Sequence, residues 1–300
     1  MVSPRARAAL VSLTLITVAV IVAATLVGRS DDDEHPVTST QASTPAGAWP
    51  EAASTGLSDC PEPKVTQGSE IVIDEPNTVL ENVELRDAVI NVKAPGVVIR
   101  CVRITGSGYF GIDNTATPDD EVPDLVIDRV EIDCRAASVG LLIKGASVSR
   151  ADISGCADAI RVAGSDVTIS GSYCHDLYSS GEDLHADCIQ STGGTDNLVI
   201  ENNSLWGWDT SDILLGLEGG ESRGVIIRGN RLMSDPDREP APAFLTYVSG
   251  SDTQVTDNRF SRRFTYGPCT LIGGATAETI RWSGNVWDDD GSALEVDACT

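Results

Sequence analysis

The chain has 300 residues, enough for one large hydrophobic core or two smaller ones. It has few Lys, Met and Phe but many Gly, Val, Ile, Asp, Asn and Thr, a composition that favours strands and turns over helices. The formal net charge of −24 excludes a nucleic-acid partner, because binding phosphates requires clustered Lys and Arg. It also repels polyanionic glycans unless a metal ion or a local basic cluster intervenes.

Residues 1–28 are predicted to be a signal anchor or a signal peptide. Arg5 and Arg7 precede an apolar run of 20 residues from Ala8 to Val27. A helix of that length spans about 30 Å, the thickness of the hydrocarbon core of a bilayer. Because no small-x-small cleavage site follows, an uncleaved anchor is slightly favoured. In either case the rest of the chain is predicted to be extracellular, secreted or tethered, with this segment as its only contact with the membrane.

Residues 29–58 are predicted to be a disordered linker, because an acidic run is followed by Thr, Ser, Ala and Pro. Residues 59–300 then form the exported domain, expected to be monomeric. This domain contains all eight cysteines of the chain. An even number of cysteines in an exported protein indicates disulfides, and without a C-x-x-C pair a zinc site is disfavoured.

A short segment recurs nine times along the domain. The copies are LENVEL, IRCVRI, IDRVEI, VSRADI, ISGSYC, IENNSL, IRGNRL, VTDNRF and WSGNVW, starting at Leu80, Ile99, Ile127, Val148, Ile169, Ile200, Ile227, Val255 and Trp282. Successive starts are 19 to 31 residues apart, too close for propeller blades, and no copy contains an amphipathic helix. The repeat therefore predicts a solenoid of short stacked strands around an aliphatic core, with Asn and Gly at left-handed turns.

This pattern resembles the right-handed parallel β-helix superfamily, the pectate-lyase-like fold, over residues 65–298. The resemblance implies an all-β, single-stranded right-handed parallel β-helix of about nine rungs. A different all-β architecture such as a sandwich is the less favoured alternative. The fold accommodates lyases, hydrolases, epimerases, esterases and non-catalytic spike proteins, so it leaves the function open.

The cysteines fit this register. Cys134 and Cys156 follow neighbouring copies at nearly the same offset, so they are predicted to lie on adjacent rungs and to form a bridge. The other predicted pairs are Cys60–Cys101 at the N-terminal end, Cys174–Cys188 around a loop, and Cys269–Cys299 at the last turn. Spacing alone does not determine connectivity, so these pairings are predictions.

The candidate chemistry is concentrated in the loop YCHDLYSSGEDLHADCIQ, from Tyr173 to Gln190. It holds the two histidines of the domain, His175 and His185, and a Cys174–Cys188 bridge would restrict its geometry, as preorganised catalysis requires. His185, Asp187 and Gln190 form an H-x-D-x-x-Q segment, which resembles a signature of several bacterial β-helix proteins of unassigned activity. Asp183 and Asp187 are candidate ligands of calcium, the only cofactor that the acidic residues suggest.

A glycan-binding groove is predicted beside this loop. Asp187 to Gln190 align with Asp158 to Arg161 one rung earlier, which would place Arg161 and Gln190 on the outer face, and Lys144 is expected further along that face. Further substrate-binding candidates follow the next rungs: Trp206, Trp208, Asp209, Asp212 and Tyr247. The alternative is structural, since a histidine can bond a backbone carbonyl, an aspartate can cap a strand and a tryptophan can cover the solenoid.

The main functional hypothesis is a polysaccharide lyase or epimerase acting on a uronate-containing glycan. β-Elimination needs a base, an acid at the leaving oxygen and a cation near the carboxylate. His185 is the candidate base, assisted by Asp187. Arg161 supplies the positive charge near the carboxylate, and Tyr178 is the candidate acid. His175 is a further catalytic candidate. The familiar signatures W-x-D-H, R-x-P-x-x-R and N-T-D with G-H-G are missing from the sequence, which leaves the activity open.

Two alternatives remain. The first is a non-catalytic cell-surface β-helix that binds glycan or acts as a scaffold. The second is a glycoside hydrolase with a carboxylate pair such as Asp183 and Asp212, which would have to face one groove at a suitable separation.

Overall fold

A computed structural model describes residues 48–67, 70–106, 108–117, 124–135, 139–178, 185–191, 193–208, 210–216, 219–237, 244–246, 252–271 and 276–299. The chain divides into two units, residues 1–43 and 44–300, and all described residues belong to the second. The predicted membrane segment lies outside them. Within the described ranges, no helix has the length and apolar character needed to cross a bilayer.

The described part is all-β, with 3₁₀ turns at Ala277–Thr279 and Val296–Ala298. Its strands, numbered in chain order, form two sheets. The sixteen-stranded sheet contains β1 (Lys64–Gln67), β3 (Val79–Arg86), β5 (Val98–Thr105), β7 (Leu125–Asp133), β9 (Ala146–Ser149), β10 (Asp152–Ser154), β12 (Val167–Ser170), β13 (Tyr173–His175), β15 (Leu198–Glu201), β16 (Ser204–Gly207), β18 (Ile226–Arg228), β19 (Arg231–Ser234), β21 (Thr253–Thr256), β22 (Arg259–Phe260), β24 (Ile280–Ser283) and β25 (Val286–Trp287). The nine-stranded sheet contains β2 (Glu70–Ile73), β4 (Val89–Val92), β6 (Phe110–Asp113), β8 (Val139–Ile143), β11 (Asp158–Val162), β14 (Ile189–Ser191), β17 (Ile213–Leu215), β20 (Phe244–Thr246) and β23 (Cys269–Leu271).

The ladders between these strands are parallel, and each strand pairs with its counterpart in the neighbouring repeat copy. The chain alternates between the two sheets as it advances. The sixteen-stranded sheet branches at β7, which pairs with β5, β9 and β10. Long parallel sheets of this kind are compatible with a solenoid of stacked strands.

The repeated segment has the same backbone turn in all nine copies. The third residue has a positive φ in each of them, at Asn82, Cys101, Arg129, Arg150, Gly171, Asn202, Gly229, Asp257 and Gly284. Asn, Asp and Gly tolerate this left-handed conformation best, which explains the polar and glycine bias of the third position. The first residue points into the core: Ile99, Ile127, Val148, Ile169, Ile200, Ile227 and Val255 are all buried. Stacked aliphatic side chains therefore form the core, as the repeat predicted.

Four disulfides connect the predicted pairs of cysteines, and the described residues include no free cysteine. The bridges are Cys60–Cys101, Cys134–Cys156, Cys174–Cys188 and Cys269–Cys299, with Cα–Cα distances of 5.6, 4.9, 5.8 and 4.6 Å. Four disulfides are typical of an oxidising, extracellular environment.

Residues 48–60 lie against the outer face of the sixteen-stranded sheet. The Gly56 N–H donates to the Arg150 carbonyl (2.8 Å), and Asp59 pairs with Arg129 (2.8 Å). Gly56 has φ 53°, and a Cβ there would lie 2.9 Å from the Cβ of Asp152, so the close approach requires glycine. The last part of the predicted linker is therefore packed on the domain.

Candidate functional site: the Arg161 surface

The predicted register of the H-x-D-x-x-Q segment is confirmed. In the nine-stranded sheet, Ile160 pairs with Ile189 and Arg161 pairs with Gln190. Ile160 and Ile189 are buried, whereas Arg161 and Gln190 are partly exposed on the outer face. We call the outer face around Asp158, Arg161, His185 and Gln190 the Arg161 surface.

Arg161 forms an ion pair with a buried carboxylate. Its Nη2 donates to Asp158 Oδ2, and the Arg161 side chain keeps 32 % of its surface exposed while Asp158 keeps 1 %. Burial raises the pKa of Asp158, and the charge of Arg161 opposes this rise. The buried Nε of Arg161 has no hydrogen-bond partner among the described residues. Arg161 thus presents a positive charge at the surface and has an unused donor beneath it.

Asp187 lies under this surface and is fully buried. Its Oδ1 accepts hydrogen bonds from Thr210 Oγ1 (2.6 Å) and from the Ser211 N–H (2.9 Å), while its Oδ2 has no described partner. Burial raises the pKa of Asp187 to about 7, and the two hydrogen bonds oppose this rise. Asp187 therefore connects its strand to the next repeat copy. Its burial argues against direct contact of Asp187 with substrate or calcium. A structural role for this aspartate is favoured instead.

The two histidines have different surroundings. His185 is exposed, and it lies two residues before Asp187, whose backbone N–H donates to Asp158 Oδ1 (3.3 Å), so it is near the Arg161 ion pair. His175 belongs to β13 in the other sheet, where its Nε2 bonds Asp152 Oδ1 (2.9 Å) and its Nδ1 bonds Asp176 Oδ2 (2.6 Å). Burial lowers the pKa of His175, but these hydrogen bonds raise it more, so the net shift is upward. Only His185 therefore remains a candidate at the Arg161 surface.

The outer column beside Arg161 differs from the predicted one. Leu142, not Lys144, pairs with Arg161, and Leu214 pairs with Gln190 on the other side. Lys144 follows the end of β8, and Asn114 bonds its backbone N–H and carbonyl (2.9 and 2.6 Å). Lys144 therefore does not stack directly beside Arg161, because it lies two residues beyond the paired position along the strand.

The two candidate tryptophans, Trp206 and Trp208, have different surroundings. The Trp208 indole donates to the Leu177 carbonyl (2.8 Å) and packs against the core, so this ring covers the core. Trp206, for which covering was the alternative, is partly exposed, and its indole donates to Ser204 Oγ (3.2 Å). Tyr178 lies within the Cys174–Cys188 loop and is partly exposed, and its N–H bonds the Cys156 carbonyl (2.7 Å).

Asp212 is fully buried, and its Oδ1 accepts the Gly207 N–H (2.6 Å). Burial raises its pKa well above the usual value, and the neighbouring charge of Asp187 adds to this rise. This burial argues against the substrate-binding and hydrolytic roles predicted for Asp212. Asp183, Asp209 and Tyr247 lie outside the described residues.

The described residues contain no group of three or more His, Cys, Asp or Glu side chains placed to hold a metal ion. The acidic turn at Asp288 to Asp290 interacts with arginines instead. Asp288 binds Arg231 and Arg259, and Asp289 and Asp290 bind Arg262. Guanidinium groups therefore occupy the carboxylates of this turn.

Tyr109 was missed by sequence reasoning. It precedes β6 and is 67 % exposed, and its hydroxyl interacts with the Arg161 guanidinium. The order of the strands makes this contact possible, because β6 pairs with β8 and β8 pairs with β11, so a tyrosine before β6 can reach across one strand to Arg161. No local sequence motif indicates such a contact.

Compared with protein-family models, with curated proteins and with solved structures, the chain shows no match in any of the three comparisons.

Proposed function

We propose that residues 59–300 form a right-handed parallel β-helix of about nine rungs, similar to the pectate-lyase-like superfamily. Two features support this architecture: the alternation of the chain between parallel sheets and the left-handed residue in each of nine repeat copies. A stack of buried Asn side chains at Asn203, Asn230, Asn258 and Asn285 connects successive copies and adds further support.

We further propose that this exported protein acts on a uronate-containing polysaccharide as a lyase or epimerase at the Arg161 surface. The observation that carries the proposal is the placement of an exposed histidine, His185, two residues before Asp187, whose backbone N–H bonds the Asp158 partner of the partly exposed Arg161 (3.3 Å). The protein as a whole repels polyanions, so a local cation is needed to bring a uronate carboxylate to the surface. Arg161 fills that role in the proposed site.

In the lyase reaction, His185 removes the proton next to the uronate carboxylate while Arg161 stabilises the negative charge that develops there. The electron pair forms the C=C bond as the bond to the leaving oxygen breaks. A tyrosine donates a proton to that oxygen: either Tyr178, as the sequence predicts, or Tyr109, which lies beside Arg161. In an epimerase, the same carbon would instead be reprotonated from the opposite face.

The test is degradation of pectate, alginate, hyaluronan and gellan by the full chain, followed by the ultraviolet absorbance of unsaturated products with and without calcium. We expect His185→Ala to abolish the product on the polymer that reacts. The matched control is His175→Ala, because this histidine lies in the other sheet. Tyr109→Phe and Tyr178→Phe identify the acid. Epimerisation is followed by the proton NMR spectrum of the same polymers.

The proposal fails if no polymer gives an unsaturated or epimerised product, or if His185→Ala retains the activity. The second candidate, a non-catalytic glycan-binding module, is favoured by one observation: the Asp187 carboxylate is buried and bonded to Thr210 and Ser211, so it is not available to assist His185. Retention of a uronate polymer by the folded protein without turnover would support that candidate.

A further inference from the structure

A second outward surface lies on the sixteen-stranded sheet, on the arm formed by β13, β16, β19 and β22. Parallel pairing aligns Tyr173, Ser204, Arg231 and Arg259 on successive strands. Trp206 lies two residues after Ser204 and so faces the same side of the sheet. We call the face of Ser204, Trp206, Arg231 and Arg259 the Trp206 surface. The Arg161 surface belongs to the other sheet.

Trp206 is held against this surface. Its indole N–H donates to the buried Ser204 Oγ (3.2 Å), and the Arg231 guanidinium lies over the ring, with its carbon 5.5 Å from the ring centre. The ring remains partly exposed. An aromatic ring that is held next to a cation suits an acidic sugar, whose ring has an apolar face and carries a carboxylate.

Two arginines next to the ring share one aspartate. Asp288 accepts from Arg231 Nε and Nη2 (3.2 and 2.8 Å) and from Arg259 Nε (3.1 Å). Both arginine side chains keep about 30 % of their surface exposed: 28 % for Arg231 and 35 % for Arg259. Two positive charges against one negative charge leave this group with a net charge of +1, in a chain whose formal net charge is −24.

Other carboxylates near this surface are already engaged. Asp235, which follows β19, is 7 % exposed and accepts the Asp237 N–H (2.9 Å). Asp152 bonds the ring of His175 at the upstream end. Asp288 engages two nitrogens of each guanidinium group, and both arginine side chains remain partly exposed, so an anionic ligand can reach their other N–H donors.

We propose that the Trp206 surface binds one acidic sugar residue, with the sugar ring on the Trp206 indole and the uronate carboxylate between Arg231 and Arg259. This inference rests on the proposed uronate-containing substrate and adds a binding subsite on a different sheet from the reacting groups. The second subsite would retain a polymer on the protein while the Arg161 surface acts on it.

The test compares two ligands that differ only in charge, a galacturonate oligomer and its carboxyl-reduced counterpart. A mannuronate oligomer and its carboxyl-reduced counterpart are compared in the same way. Binding is measured by titration calorimetry with the full chain carrying His185→Ala, so that no turnover interferes. In that background, Arg231→Gln with Arg259→Gln removes the cations and Trp206→Ala removes the ring. Arg228→Gln is the matched control, because Arg228 is an exposed arginine of β18, on the other arm of the same sheet, where it pairs with Glu201 of β15. Urea unfolding confirms that each variant is folded.

We expect the double arginine variant to bind the acidic oligomer at least about tenfold more weakly and the reduced oligomer unchanged, since a hydrogen bond to a charged group contributes about 1.5 kcal/mol or more. Trp206→Ala should weaken both ligands, and Arg228→Gln neither. The inference is overturned if the His185→Ala protein binds the acidic and the reduced oligomer equally, or if the Arg228 and Arg231/Arg259 variants lose equal affinity. Arg161→Gln in the same background separates the two proposals: if it alone reduces binding, the inference fails and the proposed function stands. If the His185→Ala protein binds no uronate oligomer, both fail.

Discussion

The sixteen-stranded sheet has two regions that follow the same repeat in different ways. In the first region, β3, β5 and β7 are continuous strands of 8, 8 and 9 residues that run through the left-handed residue. In the second region, from Ala146 onward, each copy forms two shorter strands separated at that residue. The repeat is the same, so the difference must come from a residue beside the turn.

The fourth residue of the copies changes character close to this boundary. It is apolar in the first four copies, at Val83, Val102, Val130 and Ala151, and polar in the last five, at Ser172, Asn203, Asn230, Asn258 and Asn285. The copy with Ala151 belongs to the second region because its N–H already bonds the polar Ser172 of the next copy. From Ala151 onward, the backbone N–H of each fourth residue donates to the side-chain oxygen of the fourth residue in the next copy. Each Asn amide also donates to a backbone carbonyl in the preceding copy. Side chains thus replace part of the backbone ladder, and the strands separate there.

The comparison shows that a polar stack can replace aliphatic residues in this position when its hydrogen bonds are satisfied. The four Asn side chains are buried, and each makes bonds to both main chain and side chain. A buried amide without such partners is costly, whereas a complete network is stable and specific. The following predictions test this difference between the regions.

The largest expected effect is that of Asn230→Val in the middle of the amide stack. The substitution leaves the Asn203 N–H and the Ile200 carbonyl without their partners. Each buried unsatisfied group costs about 1–3 kcal/mol, so we expect the free energy of unfolding to fall by roughly 3 kcal/mol. Urea unfolding measures this change. Asn202→Gly is the control, because Asn202 is exposed in the left-handed turn and glycine suits that conformation. A loss below about 1 kcal/mol for Asn230→Val would contradict the role of the stack.

The reverse substitution, Val102→Asn, should destabilise the first region. Its amide would lie between the fully apolar Val83 and Val130, without partners in the stack, at a cost of about 1–3 kcal/mol. Adding Val130→Asn supplies a neighbouring amide. The double variant is therefore expected to lose about 1 kcal/mol less than the sum of the single losses, since contacting residues are coupled. Strict additivity in urea unfolding would show that the stack cannot extend into the first region.

A smaller, pH-dependent effect is expected at Asp187, which, unlike the Asn stack, can ionise inside the domain. Its pKa is raised to about 7 in the folded protein, against about 3.9 in an unfolded chain. The folded state holds the proton between these values, so the free energy of unfolding should fall as pH rises from about 4 to 7. We expect a loss of at least about 1 kcal/mol over that interval, reduced in Asp187→Asn. A difference between the two proteins that does not change with pH would refute the assignment.

The smallest effect is expected for the ion pairs on the outer face, which both regions share. Arg100–Glu81 lies in the first region, and Arg262–Asp289 lies at the end of the second. Exposed pairs contribute about 0–1 kcal/mol and are screened by salt. Arg100→Gln and Arg262→Gln should each change the free energy of unfolding by less than about 1 kcal/mol, with smaller effects at high salt. A larger loss of stability in only one of these variants would mean that the two regions differ on the outer face of the sheet as well as in its buried positions.

The sequence alone determined the repeated element and its inward and outward residues, because these depend on short patterns: alternation along a strand and a left-handed turn residue. The equal offset of Cys134 and Cys156 in neighbouring copies also indicated their bridge, whereas the other three pairs were predictions that only the structure could confirm. The alignment of Asp187–Gln190 with Asp158–Arg161 followed from the same periodicity.

Only the tertiary structure decided which candidate side chains meet. His175 and His185 are close in sequence, yet one is held between carboxylates on one sheet and the other is exposed near Arg161 on the other. Asp187 and Asp212 proved to be buried, and Tyr109 reached Arg161 from a distant strand. Burial and contact between side chains depend on loop paths and on the lateral offset of strands, and a repeat in the sequence specifies neither.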